Sequence, residues 1–142
     1  MRCVATVPLT SHVVPAEPFV LLVDDHEPSL KGLLTVLESV GYSCVATPSP
    51  ADALSYCDSR RPALVVTDLT MPRLNGHGLA RRLKARYPAL PILLVTGEQL
   101  DPATQTVFRR VFSGVFSKPL EIEPFLKALD TLLPPERVAL RP

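Results

Sequence analysis

The sequence predicts an α/β protein, a single domain built as a parallel five-stranded sheet covered by helices on both faces. Three observations predict it. Five short apolar runs alternate with five segments whose apolar residues recur at helical spacing. The runs are continuous rather than alternating, as in strands buried on both sides. The chain's 142 residues are enough for one substantial core.

Taken in order, FVLLV at 19–23 is a continuous apolar run that ends in Asp24 and Asp25, and it predicts the first strand. From 28 to 40, Leu30, Leu33, Leu34 and Leu37 fall at i, i+3, i+4 and i+7, one face of a helix that Gly41 stops. Residues 42–46 form a second, weaker strand. Ser49 and Pro50 open a helix to about 59, with Ala53, Leu54 and Cys57 inward. Residues 64–67 make a third strand, which delivers Asp68. After a Pro72–Gly76 turn, 77–86 is a helix with Leu79 and Leu83 inward, and 92–95 is a fourth strand leading to Thr96 and Gly97. Residues 102–112 are a helix and 114–117 a short fifth strand. The last helix, 121–133, turns Ile122, Phe125, Leu126, Leu129 and Leu132 inward, and Pro134-Pro135 stops it. Right-handed crossovers wind these units into a flavodoxin-like three-layer sandwich with strand order 2-1-3-4-5.

The sixteen prolines fit this scheme because they fall between periodic segments or at helix starts, where a missing N–H costs little. Pro8, Pro15 and Pro18 interrupt the first eighteen residues, which read as a loose leader without the apolar core of a signal peptide; 134–142 read as a tail. No apolar run approaches a membrane span. Cys3, Cys44 and Cys57 form no CxxC pair and have no histidine at metal-ligand spacing, so they read as reduced, idle thiols of a cytoplasmic protein. Fifteen basic against fourteen acidic residues give a net charge of +1, which offers no polyanion-binding surface. Arg81, Arg82, Lys84, Arg86, Arg109 and Arg110 read as solvated helix faces. His26 reads as a solvated residue opening the first helix, His12 as part of the leader, and His77 as facing water.

The chemistry gathers at one edge. In such folds ligands bind outside the carboxyl ends of the strands. There lie Asp24 and Asp25 after strand 1, Asp68 after strand 3, Thr96 after strand 4 and Lys118 after strand 5. Singly each is commonplace, as a cap, a turn or a surface lysine; their shared edge argues for function. Carboxylates held together repel by roughly 4 kcal/mol per pair at 4 Å and an effective dielectric near 20, which calls for a proton or a cation among them. Oxygen-only ligands favour a hard ion such as Mg²⁺. Carboxylate, Mg²⁺, ammonium and hydroxyl together suit a phosphoryl group on an aspartate oxygen.

Four stretches, LLVDDHEPSL (21–30), VVTDLTMPRLNG (65–76), ILLVTGE (92–98) and FSKPLE (116–121), resemble the response-regulator receiver domains of bacterial two-component signalling, over roughly residues 19–133. The resemblance implies that Asp68 accepts a phosphoryl group from the phosphohistidine of a histidine kinase or histidine phosphotransfer protein. It implies Mg²⁺, with Mn²⁺ as a substitute, on Asp25, Asp68 and the backbone carbonyl of Thr70, with Asp24 acting through water. Thr96 and Lys118 contact the phosphoryl oxygens, Pro119 follows a cis bond, and Thr70 and Glu98 tune the lifetime of the phosphate. Such domains dimerise or dock through helix 4, strand 5 and helix 5, which makes Phe108, Phe112, Val115 and Phe116 partner-face candidates. One position departs from the family: where receivers carry Phe or Tyr three residues before the strand-5 lysine, this chain has Val115, and Phe116 is expected to face the other side of the sheet.

The expected function is a phosphorylation-switched module that binds a protein partner or passes its phosphoryl group along a relay, and is not itself an enzyme. The leader and Met1 mildly favour a stand-alone protein over a fragment of a hybrid kinase, and residues 134–142 cannot supply the further helical domain that a DNA-binding effector needs. Alternatives are a pseudo-receiver that binds partners without phosphorylation and, less well matched, an aspartyl-phosphate phosphatase. The last needs an acid two residues after the nucleophile, where this chain has Thr70.

Overall fold

The computed structural model describes residues 18–133; the leader and tail expected at the ends, with Cys3 and His12, lie outside them. Five strands, β1 (Val20–Val23), β2 (Cys44–Thr47), β3 (Leu64–Asp68), β4 (Ile92–Thr96) and β5 (Gly114–Ser117), alternate with five helices, α1 (Glu27–Ser39), α2 (Pro50–Ser59), α3 (Gly76–Arg86), α4 (Pro102–Arg109) and α5 (Ile122–Leu132). All strand pairs are parallel and the order is β2-β1-β3-β4-β5. No helix among the described residues is long and apolar enough to cross a membrane.

Local chemistry sets the element boundaries. The side chains of His26, Ser49, Asn75 and Asp101 each accept a hydrogen bond from a backbone N–H in the first turn of α1, α2, α3 and α4. Prolines occupy the first turns of α1, α2 and α4, where no donor is lost. Gly41, at φ 96°, ends α1 in the left-handed conformation that glycine adopts without cost, and the Tyr42 N–H reaches back 3.0 Å to the Leu37 carbonyl. Helix α4 is shorter than its apolar pattern predicts and stops at Arg109, because the chain must turn back into β5.

The sheet divides two cores. Leu21, Val23, Val65 and Leu94 face one side, with Ala53, Tyr56 and Cys57 of α2, Leu79 and Leu83 of α3 and Phe108 of α4. Leu22, Val66, Leu93 and Val95 face the other, with Leu30, Leu34 and Leu37 of α1 and Phe125 and Leu129 of α5. Strands β1, β2 and β4 are buried throughout, whereas β5, at the edge, is half-buried and ends in an exposed Ser117. Every strand points its carboxyl end the same way, which gathers Asp24, Asp68, Thr96 and Lys118 at one rim.

Candidate functional site

Asp24 leaves β1 immediately after Val23, whose register partners are Thr47 of β2 and Thr67 of β3. Its N–H still bonds the Thr47 carbonyl at 3.3 Å, which holds it at the sheet rim and buried. Its Oδ1 accepts the N–H of His26 at 2.9 Å, so the turn into α1 orients the carboxylate. Asp25, one residue on, is exposed. Asp68 is the last residue of β3, paired with Val95 of β4. One oxygen of each of Asp24, Asp25 and Asp68 lies within 4.8 Å of the others.

Lys118 completes the cluster. Its N–H donates to the Thr96 carbonyl at 2.9 Å, and the peptide bond to Pro119 is cis. The ammonium nitrogen stands 3.3 Å from Asp24 Oδ2 and 3.6 Å from Asp68 Oδ1. Three carboxylates against one ammonium leave a net charge of −2. Burial pushes the Asp68 carboxyl above its ordinary value, with the negative charge of Asp24 adding to it and Lys118 opposing it. This all-oxygen, negatively charged donor set fits a hard divalent cation that keeps some of its waters.

Thr96 is buried, and its hydroxyl accepts the N–H of Glu98 at 3.0 Å. The Thr70 hydroxyl donates to the Glu98 carboxylate, joining the loop after β3 to the loop after β4 beside the acidic cluster. Thr96 and Lys118 also border a polar cavity of about 540 Å³, walled by Gln105 and Arg109 of α4 and by Val115 and Ser117 of β5. On the other side of the sheet a cavity of about 360 Å³ runs from Asp24, Asp68 and Lys118 outward between α1 and the start of α5, past Leu33, Val36, Leu120 and Ile122.

The expected alternation at β5 is observed. Val115 packs toward the core under α2, α3 and α4, while Phe116 packs toward α1 and α5. Phe108 and Phe112, grouped with the exposed partner face from sequence, lie in the core with their rings 5.5 Å apart and edge-on. Helix α4 shows Val107 to solvent instead, 45% exposed. His77, expected to face water, is half-buried with its ring 4.8 Å from that of Phe108. Burial, and then the charge of Arg81, hold His77 below its ordinary value. Four apolar residues at 107, 108, 111 and 112 cover more than one helical face, so their pattern alone could not assign the inward pair.

Gly76 was read as a turn residue, and its larger role escaped the sequence. Its N–H donates to the Leu69 carbonyl at 2.8 Å, and a Cβ there would collide with the Asp68 carbonyl oxygen and stand 3.0 Å from its carbonyl carbon. Only a glycine lets the first turn of α3 lie against the end of β3. The available signal was the Asn-Gly-His-Gly string, which places two glycines in one first helical turn.

Residues 20–130 match the family model described as the response regulator receiver domain. Among curated relatives, the protein PilH of Pseudomonas aeruginosa is 29% identical over 118 residues, covering 80% of this chain and 96% of PilH. The sensor histidine kinase RcsC of Escherichia coli is 29% identical over 104 residues, covering 73% of this chain; this chain spans 11% of the kinase's length. Among solved structures, a response regulator receiver protein from Pseudomonas putida superposes with a TM-score of 0.74 at 28% identity, covering 83% of this chain and 99% of that one. The chemotaxis protein CheY4 of Vibrio cholerae gives a TM-score of 0.75 at 26% identity, covering 83% and 100%.

Proposed function

The chain belongs to the response regulator receiver domain family, and on that footing we propose that it accepts a phosphoryl group on Asp68 and thereby changes its affinity for a protein partner. The observation that carries this reading is the position of Lys118, within 3.6 Å of Asp68 and 3.3 Å of Asp24 at the carboxyl rim of the sheet.

An Asp68 oxygen attacks the phosphorus of a phosphohistidine presented by a histidine kinase or a phosphotransfer protein. The P–N bond breaks, and the electron pair leaves with the imidazole nitrogen. Lys118 favours the ionised carboxylate before transfer and pairs with the phosphoryl oxygens after it. Thr96, whose hydroxyl accepts from Glu98 and keeps its own proton free to donate, turns that proton to a phosphoryl oxygen. Asp25 and Asp68, with the Thr70 carbonyl and with Asp24 through water, would hold Mg²⁺ or Mn²⁺, which supplies neutralisation of the oxygen charges. Thr70 and Glu98, already hydrogen-bonded, set how easily water reaches the aspartyl phosphate. Beside α4 and its exposed Val107, the half-buried β5 and the outer side of α5 form the face for a partner or a second copy.

A second reading has its own support. Phe116 is committed to the α5 side of the sheet, so no ring of β5 faces the Thr96 cavity. This favours a receiver whose phosphorylation acts through the Thr96 and Glu98 loop alone, or passes onward in a relay.

Incubation with acetyl phosphate, with and without Mg²⁺, tests the proposal by intact mass. A metal-dependent phosphoryl adduct in the natural chain that is absent from Asp68→Asn supports it. No adduct with either acetyl phosphate or a phosphorylated kinase, in a folded protein that binds Mg²⁺, overturns it in favour of a pseudo-receiver.

A further inference from the structure

We propose that the cleft between α1 and the β5–α5 connection is a subsite for the acyl chain of an acyl phosphate, so that small-molecule phosphodonors with apolar acyl groups are preferred over acetyl phosphate. The inference rests on the reading of Asp68 as phosphoacceptor.

The cleft has two chemically distinct ends. Its inner end is made by Asp24, Asp68 and Lys118, the groups of the proposed reaction. Its outer part is walled by Leu33, Val36, Leu120 and Ile122, all half-buried apolar side chains. At about 360 Å³ it falls within the roughly 300–1,000 Å³ range of small-ligand pockets, which pair apolar walls with a few placed polar groups. Gly32 borders the cleft from α1, and a Cβ built there meets no atom within 4 Å, so the space is open at a helix position with no local need for glycine.

This division selects an amphiphile with its reacting group inward. Once a divalent cation neutralises the carboxylates, an aliphatic amine is opposed by that cation and by the Lys118 ammonium at the inner end. A phosphoryl group suits that ammonium and, with a divalent cation on the carboxylates, the whole inner end. An Asp68 oxygen forms the new bond to phosphorus, the bond from phosphorus to the acyl oxygen breaks, and its electron pair leaves as a carboxylate. No proton, oxidant or reductant is needed. The acyl chain lies along Leu33 and Leu120 while this happens.

Burial of one methylene is worth roughly a fourfold gain in affinity. Butyryl phosphate, two methylenes longer than acetyl phosphate, should therefore half-saturate phosphorylation of Asp68 at roughly a fifteenfold lower concentration. Gly32→Leu, which places a side chain in the cleft from an exposed helix position, should remove that preference and leave phosphorylation by acetyl phosphate unchanged. A binding readout stands apart from turnover: butyrylphosphonate, which cannot transfer its phosphorus, should shift the amide resonances of Gly32, Leu33 and Leu120 in the natural chain and not in Gly32→Leu. Equal half-saturation by the two donors would overturn the proposal and leave the cleft to a macromolecular donor's side chain. A preference that survives Gly32→Leu, or phosphonate shifts confined to other residues, would overturn it as well. Should both acetyl phosphate and a phosphorylated kinase fail to modify Asp68, the reading of the acceptor falls, and the phosphonate shifts alone still decide whether the cleft binds an acyl chain.

Discussion

Phe116 stands edge-on to Phe125, ring centroids 5.3 Å apart at an interplanar angle of 84°. The strand's aromatic residue is thereby tied to α5, and its neighbour Val115 is what borders the polar cavity beside Thr96. Phe116→Ala should cost about 2 kcal/mol of stability, less than a fully buried phenylalanine because the ring is half-buried. Phosphorylation of Asp68 should persist at its natural rate. Urea unfolding and intact-mass kinetics on the same protein check both halves.

Gly76→Ala should behave in the opposite way. The added methyl has nowhere to go but into the Asp68 carbonyl, so overpacking of about 2 kcal/mol and a displaced acceptor are expected together. A shift of roughly 1 Å at a reacting group is worth about a hundredfold in rate, and at least a tenfold loss of phosphorylation should be measured. Gly32→Ala is the control: with open space at its Cβ it should stabilise α1 by up to about 1 kcal/mol.

The carboxyl of Asp68 is raised from its ordinary value of 3.8 by burial, then by Asp24. The folded state therefore binds the proton more tightly than the unfolded state. The Asp68 contribution to stability is fullest below pH 3.8 and is lost as pH rises through the raised value. Asp68→Asn should melt higher than the natural chain at neutral pH in EDTA, and the two melting curves should converge below pH 3.8. Mg²⁺ at ten times its dissociation constant should return about 1.4 kcal/mol to the natural chain.

His77 works with the reverse sign. Its ring, set against Phe108 and near Arg81, is held below its ordinary value of 6.5. The unfolded chain takes up the proton first, so this contribution to stability is present above pH 6.5 and is lost as pH falls through the lowered value. An NMR titration should place the His77 midpoint below 6.5, and Arg81→Ala should move it partway back.

The sequence makes the sheet and its reactive rim legible for a simple physical reason. A strand buried on both faces is a continuous apolar run, and a polar residue that ends it can only lie at the rim. FVLLV followed by two aspartates, and LVVT followed by Asp68, state both facts at once. Relationships across elements are harder to read. Nothing in the string indicates that Lys118 reaches Asp24, that Thr70 bonds Glu98, or that Phe108 rather than Val107 points inward, since each depends on how two distant segments meet. The apolar cleft has the same origin: Leu33 and Leu120 border one space only because α1 and the β5–α5 connection lie side by side.

The alternation along β1 also separates two kinds of genetic change. Leu22 belongs to the α1 and α5 side and Val23 to the other, and Asp24 and Asp25 continue that parity, one buried against Lys118 and one exposed. Loss of a single codon within 19–23 would reverse the strand's faces and exchange the environments of the two adjacent acids, although both letters of the motif would survive. Loss of two codons would shorten the strand and keep the faces. Both losses are damaging, the odd one through parity and the even one because it removes half of a four-residue strand that is buried throughout.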